Sequence, residues 1–152
     1  MSDVLTARIL PNIVGGQRVI SKSFRSMPVT NPSTGEVIAE LPMSTAAELD
    51  AAVKVAGVAQ AEWAEVPLKD RVQVFYKMKA LVEAEKDYLA EIVTLENGKT
   101  HAESLGSVLR AVECLEFGAS LPQIATGEIL EVSKGVECRT MRAPLGVTGI
   151  IT

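Results

Sequence analysis

The sequence has few cysteines, histidines and aromatic residues, and it has no long apolar run. Of its 152 residues, two are cysteine, one is histidine and 4% are aromatic. Two cysteines in a chain of this length do not make a disulfide framework, which favours a reduced, cytoplasmic setting. No apolar run approaches the ~18 residues of a membrane span. The N-terminus also lacks a basic region followed by an apolar core, so we expect neither a membrane protein nor a secretory signal.

The charge balance excludes a further class of partners. The formal net charge is −4, which argues against nucleic acid or an anionic membrane as the main partner. Hydrophobic residues make up 47% and charged residues 22%, a composition typical of globular proteins. The length allows one domain with a sizeable core.

Two glycine-containing stretches resemble nucleotide-binding motifs but are incomplete. Residues 98–100 (Gly-Lys-Thr) end like a phosphate-binding P-loop, yet Val93 stands where that motif needs a glycine. Residues 146–149 hold half of a dinucleotide fingerprint and lie inside a predicted strand. We interpret residues 98–100 as the end of one helix followed by the cap of the next.

The cysteines and the histidine do not form a catalytic constellation. Cys114 lies in a predicted helix between glutamates, and Cys138 lies in a predicted strand, so we expect structural roles for both. A thiol-dependent redox protein remains an alternative, which would require a lowered thiol pKa. His101, near a helix start, is expected at the surface, and these scattered residues predict no metal site.

The first forty residues predict strands. Residues 13–19 are typical of a hairpin that turns at Gly15-Gly16. Residues 31–35 (Asn-Pro-Ser-Thr-Gly) predict a turn, and residues 36–41 predict the strand that follows it.

From residue 44 the apolar spacing becomes helical, and four helices are predicted. The first starts at the capping box of residues 45–48 and ends near Trp63. The second starts at Pro67, and the third ends at Asn97-Gly98. A second capping box, at residues 100–103, opens the fourth, which ends around Gly118 and Pro122. We expect its core face to hold Leu105, Leu109, Val112 and Leu115.

The last part of the chain again predicts strands. Residues 128–132 alternate between polar and apolar side chains, and residues 136–141 do so loosely. Residues 145–151 are almost wholly apolar, which is typical of a buried strand in a parallel sheet.

Four segments, in order, resemble the aldehyde dehydrogenase superfamily. Residues 31–38 (NPSTGEVI) and 95–100 (LENGKT) are similar to two of its motifs, and residues 143–152 (APLGVTGIIT) resemble the strand that enters its cofactor site. Residues 11–16 resemble its opening hairpin. The resemblance covers essentially the whole chain.

One branch of the superfamily is favoured. Residues 108–117 (VLRAVECLEF) resemble the methylmalonate-semialdehyde dehydrogenase branch, with Ser107 in place of its glutamate and Ala111 in place of its glycine.

The resemblance implies an α/β fold: the N-terminal part of an aldehyde-dehydrogenase-like enzyme several times longer. It implies that residues 1–126 are the N-terminal strands and helices of an NAD-binding domain. Residues 127–142 would be oligomerisation strands, and residues 143–152 the truncated start of a cofactor-binding strand.

It also implies a reaction. In the family a cysteine thiolate attacks an aldehyde, hydride passes to NAD, and the thioester is released to water or coenzyme A. The family's nucleophilic cysteine, glutamate base and oxyanion asparagine would follow Thr152. We therefore expect a homo-oligomeric parent enzyme acting on a small aldehyde, of which this chain is an inactive part.

Three residues are candidate site residues by this resemblance. Ile151 and Thr152 match positions beside the cofactor, and the alternative is an ordinary buried strand end. Arg110 matches the arginine that receives the substrate carboxylate, for which its fork of donors is suited. The alternative is an exposed pair with Glu113, worth under ~0.5 kcal/mol.

A different class of function stays open. The chain could be a stand-alone module that self-associates or docks on a full-length subunit, with no catalysis. Its exposed docking face would then predict oligomers or poor solubility.

Overall fold

The computed structural model describes residues 8–151. Five strands come first, then six helices, then two more strands. Their bounds are β1 Arg8–Ile9, β2 Asn12–Val14, β3 Gln17–Val19, β4 Ser26–Thr30, β5 Val37–Pro42, α1 Ala46–Glu65, α2 Leu68–Arg71, α3 Gln73–Ala84, α4 Lys86–Asn97, α5 His101–Ala119, α6 Leu121–Ile124, β6 Glu128–Ser133 and β7 Val136–Thr140.

The N-terminal strands form two small sheets. Strands β2 and β3 pair antiparallel around Gly15 and Gly16, whose φ angles are +57° and +76°. This confirms the predicted hairpin, because positive φ at both central positions is what such a turn needs. In the other sheet β5 is central, parallel to β1 and antiparallel to β4.

The predicted turn before β5 is also present. The amide of Gly35 donates to the carbonyl of Asn31 at 2.8 Å, and the amide of Ser33 donates to the Asn31 side chain at 2.9 Å. The asparagine thus holds both ends of the turn, as Asx turns do.

Both predicted capping boxes are formed. At the start of α1 the Thr45 hydroxyl accepts from the Glu48 amide at 3.2 Å, and the Glu48 carboxylate accepts from the Thr45 amide at 2.8 Å. Thr100 and Glu103 make the same exchange at the start of α5. These bonds satisfy backbone amides that have no partner within the helix. Because the capping residues lie close together in the sequence, both helix starts are predicted correctly.

The single helix predicted after Pro67 is wrong, because the structure divides it into α2 and α3. The division falls at Val72, whose ψ of −11° departs from the helical value of about −42°. Periodicity alone does not reveal this, since the apolar spacing continues across the junction.

The predicted ends of the last two helices agree more closely with the structure. Helix α4 ends at Asn97, and Gly98 caps it with φ +78°, the left-handed stop that the Asn-Gly pair predicts. Helix α5 ends at Ala119, and the chain then makes the short α6, which contains Pro122 near its start.

The core lies where α3, α4 and α5 pack together. Its most buried residues include Val72, Ala90, Ser104, Val108 and Val112. Of the core face expected on α5, Val112 is buried, Leu105 and Leu115 are half-buried, and Leu109 is 44% exposed. The buried stripe runs through positions 104, 108 and 112, because α3 and α4 approach that side of α5.

Strands β6 and β7 form an isolated antiparallel hairpin, which confirms the strands predicted there. All its residues are exposed, Ile129, Leu130 and Val132 among them. A two-stranded hairpin is marginally stable by itself in water, so this hairpin lacks the packing that normally supports one.

The buried strand expected at residues 145–151 is wrong for this chain. Residues 141–151 have no regular secondary structure, and their side chains are exposed. A strand buried on both faces needs hydrogen-bonded neighbours, and no strand of residues 8–151 pairs with this segment.

The surface is large for the chain's mass. The accessible area is 12140 Å², whereas a compact monomer of 16.2 kDa would expose about 7,500 Å². Helix α1 has no buried residue and makes at most slight contact with any other helix or strand in the described part. Helix α1 and the β6–β7 hairpin contribute to this area, since none of their residues is buried.

Candidate functional site

Arg110 lies on the exposed side of α5. Its side chain is 80% exposed, and its Nε lies 3.4 Å from Oε2 of Glu113, one turn further along the helix. Such an exposed pair is weak, since water screens it. The guanidinium is therefore free to exchange this partner for a carboxylate ligand.

The surroundings of Arg110 leave room on the same side of the helix. A side chain at Gly106 would meet no other atom within 4 Å. The Ser107 hydroxyl accepts from Nζ of Lys99 at 3.3 Å, so a second cation reaches this face. Cys114 follows one turn after Arg110 with an exposed thiol. The result is an open polar face rather than a closed pocket.

The two residues expected beside the cofactor are not part of a formed site. The Ile151 side chain is fully exposed, and Thr152 lies outside the described residues. A dinucleotide site needs a strand end, a tight turn and the start of a helix. Residues 141–151 provide none of these, so the described residues alone do not fit NAD.

The cysteines and the histidine add no further site. Both Cys114 and Cys138 are free and exposed, so neither fills a core position as a structural cysteine would. His101 is at the surface, as predicted. Within residues 8–151 no group of three or more histidine, cysteine or acidic side chains is arranged to hold a metal ion.

The sequence did not reveal the cluster around Glu48. This carboxylate accepts four hydrogen bonds, from the Ser21 hydroxyl, the Lys22 amide, and both the amide and the hydroxyl of Thr45. The backbone bonds from Thr45 and Lys22, with the Ser21 hydroxyl, lower the pKa of Glu48 from 4.5 to about 2. The capping box was visible in the sequence, but Ser21 and Lys22 are too distant along the chain to be foreseen.

A groove between the β2–β3 hairpin and α1 was also not foreseen. It has a volume of about 350 Å³ beside Ile13, Val19 and Leu49, and it continues into a second depression of about 360 Å³. The second part is lined by Val14, Ala56 and further small apolar residues. No helix within residues 8–151 is both long enough and apolar enough to cross a bilayer.

These features describe an α/β unit with an exposed, charged face on α5 and several exposed apolar surfaces. Residues 19–152 match the aldehyde dehydrogenase family. The chain belongs to that family, and the order of strands and helices expected from the resemblance is confirmed.

Two curated relatives are malonate-semialdehyde dehydrogenases. Malonate-semialdehyde dehydrogenase 2 of Geobacillus thermodenitrificans (strain NG80-2) is 42% identical over 146 residues, which cover 95% of this chain and 30% of that protein. Malonate-semialdehyde dehydrogenase of Halalkalibacterium halodurans is 40% identical over 153 residues, covering 100% of this chain and 32% of the relative.

Solved structures agree with the fold. A Sinorhizobium meliloti 1021 protein assigned as a methylmalonate-semialdehyde dehydrogenase, solved in complex with NAD, superposes with a TM-score of 0.88 at 32% identity. The match covers 93% of this chain and 29% of that one. Methylmalonate-semialdehyde dehydrogenase of Oceanimonas doudoroffii superposes with a TM-score of 0.85 at 26% identity, covering 92% and 28%.

The chain therefore spans about a third of the length of the relatives that it matches.

Proposed function

We propose that these residues work as the N-terminal part of an NAD-dependent dehydrogenase that oxidises malonate semialdehyde or methylmalonate semialdehyde. The observation that carries the proposal is the 42% identity to a malonate-semialdehyde dehydrogenase over nearly the whole chain. The overlay on the NAD-bound protein from Sinorhizobium meliloti supports the same cofactor.

Within this proposal Arg110 binds the carboxylate of the semialdehyde. The side chain projects from a helix whose opposite side is fixed in the core by Val108 and Val112. A guanidinium held on such a rigid element offers two parallel donors to a carboxylate, which selects for acid-bearing aldehydes.

The cofactor role of Ile151 and Thr152 belongs to the same proposal. Residues 143–152 would complete a cofactor-binding strand only when further strands pair with them, since the described part of the chain offers no pairing. Coenzyme A is the proposed acceptor of the acyl group.

The proposal assigns successive parts of the chain to different parts of the enzyme. Residues 1–126 belong to the NAD-binding domain and residues 127–142 to an oligomerisation arm of a homo-oligomer in the cytoplasm. The exposed edges and apolar side chains of the β6–β7 hairpin support the arm, because unpaired strand edges readily accept a partner strand. Alone, the 152 residues are proposed to be inactive.

A second candidate function rests on the large accessible surface. An area of 12140 Å² with exposed apolar residues on α1 and β6 also suits a self-associating or subunit-docking module without catalysis. A clean monomer in light scattering would contradict the self-associating module.

A chimera tests the main proposal. In the Geobacillus thermodenitrificans enzyme, the first third would be replaced by these residues, and NADH formation would be followed with malonate semialdehyde and methylmalonate semialdehyde. We expect activity in the chimera and none in the 152-residue chain. A folded, oligomeric chimera without activity would refute the proposed function, and NADH formation by the short chain would refute its inactivity. Omitting coenzyme A tests the acyl acceptor, since the rate should then fall.

A further inference from the structure

The ammonium group of Lys99 lies on the same side of α5 as Arg110. Lys99 comes directly before the capping residue of α5, and its Nζ donates to the Ser107 hydroxyl at 3.3 Å. Ser107 precedes Arg110 by three positions, so the two side chains are neighbours on the helix surface. These three positions correspond to a rise of about 4.5 Å along the helix axis. The Lys99 side chain thus brings a further positive charge close to the guanidinium of Arg110.

The ammonium group of Lys99 is not neutralised by a carboxylate. Lys99 is exposed, and it forms no ion pair with any acidic side chain of residues 8–151. An ammonium group has three donors, and the Ser107 hydroxyl accepts from only one of them. The carboxylate of Glu103 instead accepts from the amide and the hydroxyl of Thr100, at 3.0 and 2.8 Å. The donors and the charge of Lys99 are therefore available to an anion that approaches α5.

The binding of a carboxylate at Arg110 changes the charge balance of this surface. Nε of Arg110 lies 3.4 Å from Oε2 of Glu113. A substrate carboxylate that takes this place leaves Glu113 beside it, and two like charges at short range repel each other. One guanidinium then faces two carboxylates, and a second cation is needed to balance them. Lysine has a flexible stem, and the space beside Gly106 is open, so the Lys99 side chain has room to move toward Arg110.

We propose that Lys99 is the second cation of the carboxylate site at Arg110. It attracts the anionic semialdehyde to α5, and it offsets the charge of Glu113 once the substrate carboxylate is bound. Arg110 makes the directed hydrogen bonds, whereas Lys99 acts through its charge and does not touch the aldehyde group. A positive charge near a binding site raises the local concentration of an anion and its rate of association. This inference rests on the proposed function, because it takes the semialdehyde as the substrate.

Removal of the Lys99 charge in the chimera tests the proposal. For Lys99→Gln, kcat/KM for malonate semialdehyde should fall about three- to tenfold at an ionic strength of about 0.01 M. At about 1 M it should equal that of the parent chimera, since the screening length falls from about 30 Å to about 3 Å. We expect kcat to stay unchanged, and we expect no effect with an uncharged aldehyde. Lys54→Gln is the matched control, because it removes the same charge from α1, where Lys54 pairs with Asp50.

A second pair of variants keeps Lys99 and neutralises it. Ser107→Glu places a carboxylate where the Ser107 hydroxyl now meets Nζ, and Ser107→Gln adds a side chain of the same size without charge. Ser107 is exposed, so both variants should fold. Ser107→Glu should reproduce the salt-dependent fall in kcat/KM, whereas Ser107→Gln should match the parent chimera.

The outcomes separate this inference from the proposed function. An active chimera in which Lys99→Gln and Lys54→Gln have the same kcat/KM at low ionic strength would overturn the inference alone. A fall that is equal for charged and uncharged aldehydes would also overturn it, since Lys99 would then have a structural role. A folded, inactive parent chimera would overturn both the inference and the proposed function.

Discussion

Position 98 lies directly against Pro32. A Cβ on residue 98 would approach Cγ of Pro32 at 3.1 Å and Oγ of Ser33 at 3.3 Å. The turn of residues 31–35 thus packs on the junction between α4 and α5. Two of the segments that carry the family resemblance, far apart in the sequence, form this one contact.

Gly98→Ala should destabilise the chain by about 1–2 kcal/mol, because the backbone at 98 has φ +78° and the added methyl group meets Pro32. Urea unfolding followed by circular dichroism measures the change. Gly57→Ala is the matched control: it lies inside α1 with open space around it, and alanine there should be neutral or stabilising by up to about 1 kcal/mol. Equal effects at both positions would contradict the proposed contact.

Acid should weaken the chain partly through Glu48. Its pKa is lowered from 4.5 to about 2 in the folded chain, so its contribution to stability is present above pH 4.5 and is lost as the pH falls toward 2. Urea unfolding at a series of pH values should show a smaller acid-dependent loss for Glu48→Gln than for the parent. Some loss remains in that variant, since hydrogen bonds from the Thr100 side chain and backbone also lower the pKa of Glu103. Identical pH profiles for the two proteins would rule out this role of Glu48.

Ser104→Leu should cost about 1–3 kcal/mol. Ser104 is fully buried between α4 and α5, where its Oγ lies 2.8 Å from Oγ1 of Thr94, so leucine both overfills the interface and leaves Thr94 without this partner. Ser107→Leu, one turn away on the exposed side, should change stability by less than about 0.5 kcal/mol. Thermal unfolding of the two variants compares them, and similar melting temperatures would contradict the packing.

Arg110→Gln in the chimera should raise KM for malonate semialdehyde about 10- to 100-fold, the range for losing a charge-assisted hydrogen bond. The effect should be absent with an uncharged aldehyde of similar size. Arg110→Lys should restore part of the affinity, since a lysine keeps the charge without the paired donors. An equal rise in KM for both aldehydes would assign Arg110 a structural role instead.

The fold was predictable where local chemistry decides it. Short stretches of sequence predict three helix ends: the caps at Thr45 and Thr100 and the left-handed stop at Gly98. Each of them is present in the structure. The break at Val72 and the buried side of α5 were not predictable, because the approach of neighbouring helices decides both. The candidate site was also only partly predictable. The family resemblance identifies Arg110, but its exposure follows from the way α5 packs against the other helices.

The sequence by itself determined the family, the capped helix ends at Thr45, Gly98 and Thr100, and the hairpins, since these depend on residues close together in the chain. Tertiary structure alone decided which apolar faces are covered. Helices α3, α4 and α5 cover one another, whereas α1, the β6–β7 hairpin and residues 145–151 stay exposed. The physical reason is that an apolar pattern identifies a face that favours burial but not the element that covers it. Such a face is buried only where the folded chain brings another element within contact distance.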